Sequence, residues 1–348
     1  MSRVTIHLIV RNGEKYIRHC LDSLKAQTFK DFGVIIFDNN SNDQTKAIIE
    51  NEYPKFRLYK SPENFGAWPA FSRSLSLTNT EYAVFLSVDI ILDKNFLKET
   101  IEAMDKNQKV GAVQGKIMQW NIDKNGQAIK TDLIDTVGFQ IYKSRRLINK
   151  GHGEKDIGQY DKPEEIFGVE GACVVFRRKA LEQSRLCDYK YNFQNQTFCE
   201  LSDENYFWYV DDLDLVWRMR IFGWEQYLIP KALLWHDRST TKGIKKDWID
   251  YFKRLKIRKQ IPIHKRRLDW RNMRLTIMKN DFFINILKDL PYVLKREILI
   301  LGYTILFEPQ VLLEIPKLLK LIPEMLQKRK EIMKRAKIKP EEIRKWFK

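Results

Sequence analysis

Cysteine is scarce in this 348-residue chain, and Cys20, Cys173, Cys187 and Cys199 form no CxxC pair and no zinc-ligand spacing. That excludes a zinc finger and makes free thiols in a reducing compartment the expectation. No GxGxxG follows the first apolar segment and no GxxxxGKS or GxxxxGKT occurs, so neither the dinucleotide fingerprint nor the P-loop is available to hold phosphates. Long hydrophobic runs are missing too. The longest near the C-terminus, ILILGYTILF from Ile298 to Phe307, is about half the ~20 residues that a spanning helix needs. The opening MSRVTIHLIV passes almost directly into an apolar segment, without the charged, apolar and small-residue pattern of a secretion signal. A cytoplasmic location is therefore expected.

With 44% hydrophobic and 12% aromatic residues, the chain can bury one large core or two modest ones. Its formal net charge of +17 asks for an anionic partner: nucleic acid, an acidic membrane surface or a phosphorylated substrate. The excess is regional. Lys317 to Lys348 carry twelve Lys or Arg against four Glu. These cations lie in Leu-rich segments at helical spacing, without an RNP motif, a zinc finger or a helix-turn-helix pattern, so no nucleic-acid partner is expected.

The apolar run VTIHLIV (4–10) reads as a strand, and Ile17, Cys20, Leu21 and Leu24 follow at helical spacing. FGVIIFD is a second strand ending on Asp38, FRLYKS a third, and EYAVFLSVD a fourth ending on Asp89, with helical segments between them. Strands alternating with helices at this spacing predict an α/β fold with a mostly parallel sheet, whose ligands sit at the carboxyl ends of the strands. After about Lys245 the texture changes to basic, amphipathic, proline-punctuated segments. The expected division is 1–245 and 246–348.

Asp38 ends a buried strand before NNSNDQT, where Ser41 or Asp43 can cap the next helix and Asp38 is left to face a ribose or base. Asp89 closes YAVFLSVDIIL. A carboxylate there is expensive unless it meets a divalent cation or begins a turn, and Asp93 is the better cap for the following helix. In GVEGACVVFRRKAL, Gly171 and Ala172 allow a sugar or phosphate close to the backbone, although a simple strand and turn explains them equally. His236 follows YLIPKALLW and precedes Asp237 and Arg238, company suited to a metal or a diphosphate, or to a merely structural histidine. VDDLDLVW (210–217) crowds Asp211, Asp212 and Asp214 beside Trp208 and Tyr209. The plainer reading is the first turn of a helix, where the macrodipole favours acids; the sharper one is catalytic.

Taken in order, these pieces resemble the family-2 inverting nucleotide-sugar glycosyltransferases of the GT-A fold, and within them the rhamnosyltransferase-like branch of surface-polysaccharide synthesis. IVRNGEKYIRHCLDSLKAQTF, VIIFDNNSNDQT, ENFGAWPAFSRSL, EYAVFLSVDIIL, VEGACVVFRRKAL and YFWYVDDLDLVWRMRIFGWEQYLIPKALLWH carry the likeness over roughly 3–245, and HKRRLDWRNMRLTIMKND extends it. The resemblance implies a Rossmann-like GT-A domain, transfer of a hexose such as rhamnose from a dTDP-, UDP- or GDP-sugar to a saccharide or lipid-linked acceptor, and Mg²⁺ or Mn²⁺ as cofactor. It assigns Asn12, Asp38, Asn40, Asn64, Gly66, Ser87, Val88 and Asp89 to the donor, and Gly171, Ala172 and Trp208 to the acceptor. Asp89 and His236 would hold the metal. Asp212 would be the general base, with Asp211 beside it and Asp214 supporting the helix or Arg218.

Two departures qualify the match. Ser87 stands where the first acid of a DxD motif is usual, and Ser72 and Ser74 replace residues common in the NxGxAxA segment. A catalytically silent sugar-binding or scaffold relative is the alternative in that light. The basic C-terminal helices suit an anionic leaflet, which makes a peripheral position on the inner face of the cytoplasmic membrane the expectation, with packing against the catalytic domain or against a second copy in a homo-oligomer as the other use.

Overall fold

VTIHLIV is buried at every position of strand β1 (Val4–Val10), an interior strand of the main sheet. The computed structural model describes residues 2–238 and 258–348. The expected division after Lys245 lies outside the described residues. Helix α1 (Ile17–Lys25) buries Ile17, Cys20, Leu21 and Leu24, the predicted stripe. Then follow β2 (Phe32–Asp38), α2 (Thr45–Glu52), β3 (Arg57–Lys60), α3 (Ala67–Leu75), β4 (Tyr82–Ser87), β5 (Ile90–Leu92), α4 (Phe96–Lys106), the long β6 (Val110–Ile122) and β7 (Ala128–Thr136). Short strands β8 (Phe139–Ile141), β9 (Leu147–Asn149) and β10 (Glu164–Glu165) precede β11 (Cys173–Arg177), α5 (Arg178–Gln183) and the hairpin of β12 (Leu186–Phe193) and β13 (Gln196–Glu200). After α6 (Asp211–Ile221) and β14 (Glu225–His236) the described chain is helical: α7 (Ile263–Asn280), α8 (Phe283–Lys288), α9 (Leu290–Phe307), a 3₁₀ turn (Pro309–Glu314), α10 (Ile315–Lys334) and α11 (Pro340–Arg344).

The architecture is α/β, with main-sheet order β10-β14-β6-β11-β4-β1-β2-β3. β1 pairs in parallel with β2 and β4, β2 with β3, and β14 with β6, while β11 enters antiparallel between β4 and β6. The mostly parallel sheet expected from the sequence is therefore present, with one reversed strand inside it. The fourth strand stops at Ser87, two residues earlier than predicted, because Val88 and Asp89 turn the chain into β5. At Gly115 a Cβ would meet the carbonyl oxygen of Ala232 at 1.9 Å, so only glycine lets β6 pass the irregular stretch of β14.

The chain divides into two compact units. One comprises Met1–Phe139, Asn149–Gln183 and Trp224–Ser239; the other comprises Gln140–Ile148, Ser184–Gly223 and Thr240–Lys348. The first holds the main sheet and most of the apolar core. The second is built differently. Its small apolar cluster of Tyr206, Leu275, Leu321 and Met325 is joined by buried ion pairs. Lys279 lies 2.6 Å from Asp203 and 3.0 Å from Asp214, and Lys328 lies 2.8 Å from Glu200. Arg145 lies 2.6 Å from Asp281 and 2.7 Å from Asp289. Several basic residues that look like a solvated face in the sequence are thus interior groups, retained because each has an acid in contact.

The expectation of four free thiols is corrected in the same unit. Cys187 and Cys199 are joined by a disulfide, with Cα atoms 4.5 Å apart, because the irregular stretch of β12 between Leu186, opposite Glu200, and Lys190, opposite Cys199, leaves Cys187 beside Cys199. Cys20 and Cys173 are buried and unbonded.

Candidate functional site

At the carboxyl edge of the first unit, β1 lies between β2 and β4, with Val10 opposite Asp38 and Ile9 opposite Ser87. Asp38 and Asp89 therefore flank the end of one strand. Asp38 Oδ2 accepts the Ser41 amide at 3.1 Å, whereas its Oδ1 is buried without a hydrogen-bond partner. A buried carboxylate oxygen left open in this way is suited to a ligand donor. Ser41 does not cap α2; its Oγ accepts the Asn12 amide at 2.9 Å, and Asn12 Oδ1 accepts the Asn42 amide at 2.9 Å. Asp43 turns to Thr45, accepting its amide at 3.0 Å. Asn40 is exposed with φ of 63°.

Sequence reasoning missed Asn39, which organises this rim. Its Nδ2 donates to Asn64 Oδ1 and to the Gly66 carbonyl, each at 2.9 Å, and its Oδ1 accepts the Phe65 amide at 3.0 Å. Asn64 and Gly66 are thereby tied to the strand end that carries Asp38. Beside them α3 is structural: Trp68 stacks on Phe85 at 4.6 Å, and Ser74 meets buried His7 at 2.8 Å. Burial, with help from Arg178, pushes the His7 imidazole down to about 3. Trp68 is a core aromatic.

The turn after β4 is held on all sides. Ser87 Oγ donates to Asp89 Oδ1 at 2.5 Å, and the Asp89 carbonyl accepts from Trp120 Nε1 at 2.9 Å and from the Asp237 amide at 3.1 Å. Val88 packs against Gly13, where a Cβ would come within 2.9 Å of it. His236, the last residue of β14, places Nε2 3.4 Å from Asp89 Oδ2 and Nδ1 2.8 Å from Asp135 Oδ2. Burial alone would lower the imidazole, but Asp89 and Asp135 outweigh it and push His236 up to about 10. Asp89 in turn stays below the usual carboxylate range, because His236 and Ser87 outweigh its burial.

Asp135 and Glu170 also meet at this edge, and neither was singled out from the sequence. Arg238 bonds to Asp135 at 2.9 Å and to Glu170 at 2.6 Å. Glu170 Oε2 also accepts the Ala172 amide at 3.0 Å, and the Ala172 carbonyl accepts the Ser87 amide at 2.9 Å. The Gly171-Ala172 turn is thus joined to the Asp89 turn. A signal for Asp135 was available: like Asp38 and Asp89, it comes at the end of a strand.

Could this edge hold a cation? Asp89, Asp135 and Glu170 bring three carboxylates against the Arg238 guanidinium and the imidazoles of His236 and His152, the last 3.3 Å from Asp135, so positive charge is accommodated. Among the described residues no group of three or more His, Cys, Asp and Glu is placed to hold a metal alone. Asp135 is turned to the far nitrogen of His236 and to Arg238. What remains is Asp89 with His236, whose imidazole the flanking acids keep protonated; by giving up its Nε2 proton it joins Asp89 in a two-ligand set of the kind that fits a divalent ion completing its shell with water and substrate phosphate oxygens.

In the second unit, α6 begins with Asp211, Asp212 and Asp214 in its first turn. Asp214 is buried among Arg218 at 2.9 Å, Asn280 at 2.6 Å and Lys279 at 3.0 Å, a structural assignment. Asp211 is buried, with Oδ2 unpartnered; burial, then Asp212 and Asp214, hold its carboxyl well above the usual range. Asp212 is half-buried, and its Oδ1 accepts the Leu213 amide at 2.7 Å. The approach to this turn is strained: Phe207, Tyr209 and Val210 have φ of 64°, 67° and 68°. Asn272 of α7 reaches the carbonyls of Tyr206 at 3.2 Å, Trp208 at 2.8 Å and Tyr209 at 2.9 Å. Trp208 is 39% exposed, stacked on Tyr209 and covered by Lys265 at 3.9 Å.

Comparison with known proteins adds a family. The model described as Glycosyl transferase family 2 matches residues 5–185. Over 93 residues the chain is 36% identical to a teichoic acid poly(glycerol phosphate) polymerase of Staphylococcus epidermidis, a match covering 26% of this chain and 13% of that protein. Over 112 residues it is 30% identical to the poly(ribitol-phosphate) beta-N-acetylglucosaminyltransferase TarS of Staphylococcus aureus, covering 31% of this chain and 20% of that one. The chain thus spans a fifth or less of the length of these two relatives. Among solved structures, GalNAc-T7 with UDP, GalNAc and Mn²⁺ superposes with a TM-score of 0.56 at 11% identity, over 80% of this chain and 48% of that one. S. aureus TarS 1-349 in complex with UDP gives 0.52 at 16% identity, over 96% and 88%. These likenesses are of fold.

Proposed function

The chain belongs to glycosyl transferase family 2, and we propose that it moves a sugar, with inversion, from a nucleoside diphosphate donor to a hydroxyl of a saccharide or lipid-linked saccharide in cell-surface polysaccharide synthesis. The observation that carries this reading is the pair of strand-end acids flanking β1: Asp38 with an unpartnered buried oxygen, and Asp89 paired with His236 at 3.4 Å. Asp38 accepts a hydrogen bond from the nucleoside, and the Asn39-fixed Asn64–Gly66 segment lines its pocket. Asp89 and His236 would hold a Mg²⁺ or Mn²⁺ near the donor diphosphate. That ion supplies charge neutralisation for the leaving group.

Asp212 is the general base. It takes the proton of the acceptor hydroxyl as that oxygen bonds to the anomeric carbon, and the bond from that carbon to the diphosphate oxygen breaks, with its electron pair leaving on the nucleotide. Asp212 stands in the first turn of α6, where the macrodipole suits negative charge, while burial favours the neutral form of Asp211. Trp208, 39% exposed between Tyr209 and Lys265, offers the open part of its ring to a sugar, and the Gly171-Ala172 turn a close backbone approach. Rhamnose from dTDP-rhamnose is the first donor to try, on the sequence resemblance, and UDP-N-acetylglucosamine the second, on the relatives' names. The work is done on the cytoplasmic side, at the membrane surface.

A calorimetric or ligand-detected NMR panel of dTDP-, UDP- and GDP-sugars, with and without Mn²⁺, on wild type and Asp89→Ala tests the reading. Metal-dependent binding of one nucleotide class, lost in the variant, is expected. Binding of none by folded protein would overturn it and bring forward the sugar-binding scaffold reading, which Ser87 in the place of the first DxD acid favours.

A further inference from the structure

Helix α9 is an apolar helix with little to pack on. Nine of its eighteen residues are large apolar side chains more than a third exposed, among them Ile298 at 67%, Leu299 at 63% and Leu306 at 74%, and only Thr304 is fully buried. An exposed apolar face of this extent marks an interaction surface. No single helix among the described residues is long and apolar enough to cross a membrane, and α9 carries Lys295, Arg296 and Glu297 within its first half.

Against this helix, and wholly within the second unit, lies a cavity of about 730 Å³. Its apolar wall includes Trp270, Leu299 and Tyr303, and its cations are Arg146, Arg258, Arg274, Lys295 and Arg296. Acids answer some of these. Arg274 and Arg296 share Glu297, at 2.5 and 2.6 Å, and Arg258 takes Glu308 at 2.8 Å. Asp269 also faces the cavity, its carboxyl raised by burial against the pull of Arg258, Arg296 and Arg274. Arg146 and Lys295 have no carboxylate partner among the described residues, so five cations against three acids leave positive charge at the place where the apolar face begins.

We propose that this cavity receives the phosphate or diphosphate headgroup of an anionic lipid, with the exposed face of α9 lying in the acyl boundary of the leaflet. Charge complementarity selects this occupant over an uncharged protein surface. The unanswered cations attract phosphate, arginine is the side chain whose geometry matches phosphate oxygens, and the apolar wall continues onto the helix face that the chains would cover. The site shares no residue with the donor-binding acids, and its readout is independent of sugar transfer.

The test is co-sedimentation of the full chain with phosphatidylcholine vesicles with and without phosphatidic acid, with calorimetry against inorganic diphosphate as the soluble arm. Wild type is expected to bind the phosphatidic acid vesicles and to bind neutral vesicles at least tenfold more weakly. Arg146→Gln with Lys295→Gln, which orphans no acid, is expected to weaken that binding about tenfold or more, whereas the charge-matched Lys30→Gln with Lys124→Gln leaves it within about twofold. Ile298→Ser with Leu306→Ser, at exposed positions and with the retained fold checked by circular dichroism, is expected to weaken it as well. Equal loss from both charge-matched pairs would reduce the site to net charge and overturn it. So would equal binding to neutral vesicles, or binding of inorganic diphosphate by a chain that ignores vesicles.

Discussion

His236 Nδ1 lies 2.8 Å from Asp135 Oδ2, on the side of the ring away from Asp89. A carboxylate behind a ligand histidine fixes the ring and raises its basicity, and loss of such a partner typically reduces metal affinity by about 10–100-fold. Asp135→Asn keeps the shape and leaves Arg238 its bond to Glu170. The expected outcome is at least a tenfold rise in the Mn²⁺ concentration for half-maximal donor binding, with the fold retained. Unchanged metal dependence would show that Asp135 is only a structural acid.

The neighbouring acids of α6 are expected to separate cleanly. Asp212→Asn removes the base and should lower turnover by about 10²–10⁴-fold while donor binding stays within about twofold. Asp211→Asn replaces a buried carboxyl, whose neutral form burial favours, by a neutral amide of the same shape. Its melting temperature should hold or rise, and its donor binding should be unchanged. Normal turnover in Asp212→Asn would remove that residue from the mechanism.

Asp38, Asp89 and His236 were legible because each ends an apolar run, and a parallel sheet gathers strand ends on one edge. The stripe of α1 was legible for a similar reason: period 3.6 is local. Asp135 and Glu170 were not singled out, since their importance comes from Arg238 and His236, about 70–100 residues away in sequence. The Cys187–Cys199 bond needed the hairpin register, which spacing alone does not give. In the C-terminal region, composition predicted a basic helical surface, yet Lys279 and Lys328 are buried because Glu200, Asp203 and Asp214 meet them. Pairing of that kind is a tertiary property.

Glu200 gives the second unit a pH signature. Burial and nearby Asp203 push its carboxyl up to about 7, against Lys328 and Lys279. Between the ordinary glutamate value of about 4.3 and 7, the folded protein keeps a proton that the unfolded chain releases. Stability from this group therefore falls as pH rises through that window. Asp203 works oppositely: the two lysines outweigh its burial and hold it below the usual range, so its contribution is present above about 4 and is lost in stronger acid. In Glu200→Gln the decline between pH 5 and 7 should flatten, and Lys328 keeps Asp203 and Glu324 as partners. Urea unfolding of both proteins at pH 5, 6, 7 and 8 checks this, and parallel curves would assign the slope elsewhere.

Asn272 restrains the turn that delivers Asp211 and Asp212, reaching three successive-region carbonyls of a segment in which Phe207, Tyr209 and Val210 all have positive φ. Non-glycine residues rarely hold this conformation without outside support, and here one amide group supplies three hydrogen bonds of it. Asn272→Ala leaves those carbonyls without it and should cost about 1–3 kcal/mol of stability. Because the released turn is continuous with α6, turnover should fall further than the folded fraction does, while donor binding to the folded protein stays the same. Phe207→Gly is the converse experiment. Phe207 is 39% exposed, so its removal sacrifices little packing, and glycine adopts φ of 64° without the side-chain penalty. That variant should be as stable as wild type or gain up to about 1 kcal/mol, and it should partly restore the stability of Asn272→Ala when the two are combined. Strict additivity of the two changes would mean that Asn272 and the strained turn are energetically independent, and that the amide does not hold the acids in place.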